Sequence, residues 1–348
     1  MIIKQIGING YKSIEQADIQ LNNINVIIGA NGAGKSNFIS VFKLLQSIFD
    51  KNLQSFVGKN GGPDSLMYFG RKKTKLIEIS FDISAENGYW FSLSPTADNR
   101  LMFENEQTAW NNSKKDYKVS GHFESLLQFS KNRKHRVYHF HDTGETAYVK
   151  GLNEINDNLF LRSDAGNLAA FLYRLKKTEK DSYEKIVKTI RLVAPFFNDF
   201  LLRPNPLNND KIELEWYEAG SDVPFKAMHF SDGTLRFICL ATALLQPDDL
   251  QPDTILIDEP ELGLHPYAIT ILASLIKSVS KRDKQVIIST QSVELLNEFD
   301  VEDVIVADRE NNSSVFRRLD KKNLQAWLED YSLGELWEKN LLGGRSAK

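Results

Sequence analysis

The sequence predicts an α/β fold in which a parallel or mixed core sheet is joined by an antiparallel β lobe and a helical lobe. Three observations carry this. The apolar run Ile24–Ile28 ends at a glycine turn and opens into an amphipathic helix. Beyond residue 253, short apolar runs alternate with helical periodicity, the pattern of parallel strands with crossover helices. Between residues 76 and 123 the chain breaks into short β-like pieces separated by Asn, Gly and Pro.

Taken in order, residues 2–8 are rich in Ile and residues 17–21 alternate apolar with polar, so both predict strands ahead of Ile24–Ile28. Phe38, Val41, Phe42, Leu45, Ile48 and Phe49 recur at three-and-four spacing, one buried helix face that starts directly after the glycines. Residues 76–83, 89–93 and 118–123 supply the antiparallel lobe. From 167 to 200 the spacing turns helical, with Ile186, Val187, Ile190, Val193, Ala194 and Phe197 on one stripe and Pro195 closing or kinking it. Three β segments, 200–203, 211–216 and 225–230, lead to Ser231, an N-cap for a helix carrying Leu235, Ile238, Cys239 and Thr242. Strands at 254–257, 285–289 and 304–306 then alternate with helices around 269–280 and 293–299. Asn311-Asn312 predicts a hairpin, and Leu324, Trp327 and Leu328 predict a closing helix. Trp327 and Trp337 are expected to pack in a core or lid, with a docking surface as the alternative. The implied division is a core from 1–50 and 200–348, an antiparallel β insertion over 51–125 and a helical lobe over 126–199.

With 42% hydrophobic and 26% charged residues, the composition excludes collagen-like, mucin-like and disordered classes and allows two or three packing units. No apolar run reaches the roughly 18–20 residues that a bilayer span requires, and the first residues lack a signal-peptide layout, so a cytoplasmic protein without a membrane partner is expected. Cys239 is the single cysteine, which leaves no intrachain disulfide and no Cys-based zinc finger. Charge is uneven: residues 1–200 carry 27 Lys and Arg against 21 Asp and Glu, and residues 201–348 carry 16 against 25. Basic clusters at 71–75, 114–118, 131–136 and 174–177 have the charge to attract a polyanion, although such runs are more often solvated surface.

Gly29-Ala-Asn31-Gly32-Ala-Gly34-Lys35-Ser36 is a complete G-x-x-x-x-G-K-[ST] phosphate loop between an apolar strand and an amphipathic helix. Its glycines let backbone N–H groups converge on phosphate oxygens, and the helix N-terminus adds partial positive charge there. Lys35 is expected to reach the β- and γ-phosphates and Ser36 to offer its hydroxyl to Mg²⁺, with Asn31, Gly32, Gly34 and Asn37 completing the ATP-binding set. Downstream, Thr254-Ile-Leu-Ile-Asp258-Glu259 is an apolar strand ending in two carboxylates. Side chains alternate across a strand, so Asp258 can face the metal shell while Glu259 polarises a water for in-line attack.

With these motifs the sequence resembles the ATP-binding-cassette ATPases of the RecF and SMC type, including the ATPase half of OLD-family nucleases, over nearly the whole chain. Phe230-Ser231-Asp-Gly233-Thr-Leu-Arg236 looks like that family's signature motif, and Glu259-Pro-Glu-Leu-Gly-Leu-His265-Pro like its D-loop. Tyr11-Lys12-Ser13 is similar to its early aromatic-basic-Ser element, in which the basic residue approaches the nucleotide. The tail, Tyr331-Ser-Leu-Gly-Glu-Leu-Trp337 followed by Leu342-Gly-Gly344, resembles stand-alone bacterial members. The resemblance implies a P-loop NTPase of ABC-ATPase head type over 1–348. It also implies a homodimer in which Ser231 and Gly233 of one copy cover the γ-phosphate held by the other, so that hydrolysis opens the pair.

Two departures qualify the likeness. In Val286-Ile-Ile-Ser-Thr-Gln291-Ser, Gln291 stands where the family has a switch histidine; it can hydrogen-bond a phosphate but does not titrate near neutral pH, which predicts slow turnover. No Q-loop glutamine is found near 137–142, where His139 and Asp142 are the available substitutes. His139 and His141 alternate on a predicted strand beside Asp142, but two histidines without further ligands read as structural residues before they read as a metal site. About 195 residues separate Ser36 from Ser231, too few for long coiled-coil arms, and the stretch after Gln291 is too short for a fused nuclease. A RecF-like ATPase serving DNA repair or phage defence is therefore expected, acting on double-stranded DNA or through a separate nuclease or effector chain. The alternatives are a non-catalytic ATP switch that restrains a toxin, or a transporter motor.

Overall fold

The computed structural model describes residues 2–84, 87–110, 113–116, 121–127, 135–138, 140 and 142–344. It comprises two compact units, one of residues 1–137, 253–256 and 283–348, the other of 138–252 and 257–282. These limits differ from the expected lobes at 51–125 and 126–199.

In the first unit an antiparallel sheet runs in the order Ile14–Gln20, Gln5–Tyr11, Ile77–Ser84, Asn87–Pro95, Leu101–Trp110, Ser113–Asp116. Register places Ile6 opposite both Ile19 and Phe81, which aligns one apolar face across three strands. The N-terminal hairpin and the predicted β insertion are thus one sheet. Residues between them do not extend it: Leu53–Lys59, Pro63–Leu66 and Gly70–Lys73 are short helices. The Glu124 carboxylate accepts the Leu53 and Gln54 N–H groups at 3.0 and 3.2 Å and so caps the first of these from a distant loop.

A second sheet has the order Ser313–Arg318, Val304–Glu310, Ile24–Ile28, Gln285–Ser289, Thr254–Asp258, His135–Tyr138. Ile24–Ile28 pairs in parallel with both Val304–Glu310 and Gln285–Ser289, and its Val26, Ile27 and Ile28 are buried as a two-faced parallel strand requires. The predicted hairpin is present, with Asn311 and Asn312 both at positive φ, 48° and 66°. Helix Lys35–Phe49 packs its predicted face into the same core, where Phe42 meets Phe38 and Phe81 edge-on at 5.5 and 5.7 Å. Trp337 is buried as expected, but Trp327 is 47% exposed and no residue of its helix, Lys321–Leu328, is buried. Its apolar side chains, Leu324, Ala326, Trp327 and Leu328, form too short a stripe among Lys, Asn and Gln to bury that helix.

The second unit holds helices Leu168–Thr178 and Lys180–Val193, whose stripe Ile186, Val187 and Ile190 is buried. Phe197, expected on that stripe, belongs instead to strand Phe197–Leu201, because Pro195 cannot continue the helix. That strand pairs with Glu215–Glu218, which pairs in turn with Pro224–Lys226, and Trp216 stacks on Phe230 at 4.3 Å just ahead of Ser231. Among the described residues no helix is long and apolar enough to cross a membrane.

Candidate functional site

The phosphate loop follows strand Ile24–Ile28 and ends at Gly34, whose φ of 115° only glycine adopts readily; helix Lys35–Phe49 begins at the next residue. No side chain caps this helix and no acid lies in its first turn, so its N-terminal N–H groups and positive dipole end suit an anion. The Lys35 ammonium donates to the Gly29 carbonyl at 2.6 Å and to that of Ala30 at 3.2 Å. Asn31, Gly32 and Ser36 are exposed.

Beside the loop, the Tyr11-Lys12-Ser13 turn is fixed by an extended network. Asn37 donates to the Ser13 hydroxyl at 2.7 Å, that hydroxyl meets Ser314 Oγ at 2.7 Å, and the Ser314 N–H donates to the Ser13 carbonyl at 2.7 Å. Lys12 itself has φ 50°, and burial, reinforced by nearby Lys43, holds its ammonium below the ordinary lysine value. A cavity of about 420 Å³ opens here, lined by Lys12, Ser13, Asn37, Tyr68, Phe69 and Arg309 among others. Arg309 also reaches the Gly32 carbonyl at 3.4 Å. The sequence alone predicts no role for Ser314 or Arg309; the Asn311-Asn312 hairpin that carries them is the one available signal.

In the second unit Ser231 is the N-cap of helix Asp232–Leu245, as the sequence predicts, accepting the Thr234 N–H at 3.1 Å. Asp232 places a carboxylate in the first turn, and the largely buried Lys150 pairs with it at 3.3 Å, offsetting a charge that would repel a phosphate. Gly233 lies against the D-loop: a Cβ there would stand 2.0 Å from the Gly263 carbonyl oxygen. Arg236 donates to the carbonyls of Leu262 and, at 2.9 Å, Phe140. The sequence alone predicts no role for this residue of the signature segment; in the fold it ties the signature helix to the D-loop. Cys239 is fully buried in the same helix and burial pushes its thiol up to about 12. Native protein at pH 8 should therefore resist alkylation by iodoacetamide, with labelling appearing only on unfolding; rapid native labelling would show that this helix is not packed as described.

Asp258, buried, is the last residue of Thr254–Asp258. Glu259 has already left the strand with φ 44°, so a left-handed turn, rather than strand alternation, sets its direction. Such a backbone in a half-buried Glu is a strained feature of the kind that collects at functional sites. Gln291 is exposed two residues beyond Gln285–Ser289. His139 and His141 lie outside the described residues; Asp142 is exposed and accepts the Gly144 N–H at 3.2 Å. Among the described residues no cluster of three or more His, Cys, Asp or Glu side chains is arranged to hold a metal ion. Of the basic clusters, residues 117–118 and 131–134 lie outside the described residues, while Arg71 pairs with Asp64 at 3.0 Å and Lys73 with Glu15 at 3.1 Å.

Residues 24–297 match the profile of AAA_21, described as "AAA domain, putative AbiEii toxin, Type IV TA system". The chain is 28% identical over 138 residues to the energy-coupling factor transporter ATP-binding protein EcfA of Methanocaldococcus jannaschii, a stretch covering 34% of this chain and 48% of EcfA, about half of that relative. It is 26% identical over 230 residues to the phosphate import ATP-binding protein PstB 2 of Streptococcus pneumoniae, covering 56% and 79%. In fold it is similar to an SmcHead solved with the C-winged helix domain of ScpA, with TM-score 0.64, 16% identity and coverage of 94% and 100%. The SMC head domain from Thermotoga maritima gives TM-score 0.52 at 14% identity, covering 92% and 100%.

Proposed function

The chain belongs to the AAA_21 family and has the fold of an ABC-like ATPase of the RecF/SMC type, and from that we propose that it binds ATP on residues 29–37 and hydrolyses it with Glu259 as general base. One observation carries the reading: an uncapped helix N-terminus whose lysine holds its ammonium on the Gly29 and Ala30 carbonyls. Phosphate oxygens can replace those carbonyls with stronger, charge-assisted hydrogen bonds. Lys12 contributes a further cation beside the loop. The exposed Ser36 hydroxyl and the Asp258 carboxylate are the oxygen donors that a hard cation requires, and they would hold Mg²⁺, which supplies charge neutralisation at the phosphates. Glu259 takes a proton from water as the water oxygen bonds to the γ-phosphorus and the bond to the β-phosphate oxygen breaks.

In this reading ATP joins two copies. The start of helix Asp232–Leu245 in one copy, with Ser231 and Gly233, faces the γ-phosphate held by the other, and Lys150 keeps Asp232 from opposing it. The pairing gates an effector on a separate chain, either a toxin or a nuclease directed at double-stranded DNA, in repair or phage defence. The family description supports a toxin context and the Smc-head likeness supports the head fold. Gln291 favours a second reading, a slow switch that binds ATP and seldom turns it over.

Phosphate release and nucleotide binding, measured with and without double-stranded DNA, separate these. Lys35→Ala should weaken ATP binding by roughly 10- to 100-fold through loss of charged hydrogen bonds. Binding without release in the parent supports the switch; unchanged affinity in Lys35→Ala rules out the loop as the phosphate site.

A further inference from the structure

The Leu342-Gly-Gly344 motif takes no part in the chemistry above, yet it rests on the phosphate loop. The Ala30 N–H donates to the Gly344 carbonyl. The Gly344 N–H donates to Asp308 Oδ2 at 3.0 Å, and Arg317 donates to the Leu342 carbonyl at 2.9 Å. Gly343 and Gly344 have φ of 78° and 76°, a left-handed pair that turns the chain across strand Val304–Glu310, while buried Leu342 anchors the segment. The approach is close: a Cβ on Gly344 would stand 2.8 Å from Val306 Cγ1, 3.1 Å from the Ala307 oxygen and 3.3 Å from Gly29 Cα.

One peptide group links these contacts to the loop's chemistry. The Gly29 carbonyl, which accepts the Lys35 ammonium at 2.6 Å, and the Ala30 N–H, which Gly344 accepts, belong to the same planar unit. Its orientation is therefore held at both ends, by Lys35 on one side and by residue 344 on the other. Without Gly344 the N–H loses its partner and the plane is free to rotate, taking the lysine's resting place with it.

We propose that residues 342–344 are a positioning element of the phosphate loop: by fixing the peptide between Gly29 and Ala30 they keep the loop and Lys35 in the form that receives the nucleotide's phosphates, so that affinity depends on this tail. The proposal rests on the reading that residues 29–37 bind nucleotide. Pre-organisation of this kind strengthens binding by lowering the ordering cost, and linkage requires the converse, that bound nucleotide strengthens the docking of the tail.

The test uses Mg-ADP, which avoids any contribution from ATP-driven pairing, on the full chain. Gly344→Val places a β-branched residue at a left-handed position, and Asp308→Ala removes the acceptor of the Gly344 N–H without touching the tail. Each should weaken Mg-ADP roughly tenfold, the scale of one hydrogen bond, and speed exchange of the Ala30 amide, and in Asp308→Ala, which adds no clash, the nucleotide-free melting temperature should stay near the parent's. In the parent, Mg-ADP should slow exchange at Ala30 and Gly344. If Gly344→Val does not fold, Asp308→Ala carries the test. Parent-like affinity, unaltered Ala30 exchange, or affinity lost only in step with melting temperature in Asp308→Ala each overturns the proposal. A parent that fails to bind Mg-ADP overturns the nucleotide reading itself, and is seen before any variant is made.

Discussion

Glu259→Gln should lower phosphate release by about 10²- to 10⁴-fold, the range that a lost general base commands, while nucleotide affinity stays at the parent level. The amide has the shape and hydrogen-bonding reach of the carboxylate but cannot accept the water's proton. Both side chains tolerate the φ of 44° equally, so the substitution does not alter the local strain. Because binding persists and turnover stops, the variant should also accumulate as an ATP-held pair, visible as a doubling of mass by light scattering that ADP does not produce. Phosphate release undiminished in this variant would move the base to another residue. Parent and variant alike silent, with both binding ATP, would establish the switch to which Gln291 points.

Gly233→Ala should abolish ATP-dependent pairing and reduce release at least tenfold, without changing the affinity of a single chain for ADP. The added methyl would meet the Gly263 carbonyl oxygen at 2.0 Å, a backbone atom that no rotamer change can clear. The signature helix and the D-loop must then separate, which breaks the hydrogen bond from Arg236 to the Leu262 carbonyl. Overpacking of this kind costs about 1–3 kcal/mol, so thermal unfolding should shift downward with it. The phosphate loop lies in the other unit and keeps its own contacts, which is why ADP affinity separates this effect from general damage. Retained pairing in a stable Gly233→Ala protein would remove the signature helix from the interface.

What was legible in the residues was local. The strand, glycine turn and helix around Lys35, the cap at Ser231 and the Asn311-Asn312 turn all depend on neighbours within a few positions, where periodicity, capping and positive-φ preferences act directly. Glu259 shows the limit of that reasoning even at short range: alternation along a strand predicted its direction, but the strand stops at Asp258 and a left-handed residue re-aims it. Apolar spacing alone places Phe197 on the helix stripe, because it does not register where Pro195 ends one element and another begins.

The remaining features came from pairings that no window of sequence contains. The N-terminal hairpin joins strand Ile77–Ser84 because Ile6 and Ile8 find Phe81 and Ile79 across the sheet. Arg309 reaches Gly32 from 277 positions away, and Gly344 reaches Ala30 from the far end of the chain. Short-range order selects which residues can cradle a phosphate, since it needs only glycines, a lysine and a helix start. Which side chains and tails support that cradle is settled when distant segments compete to bury the same apolar faces, and that competition is resolved only in the folded chain.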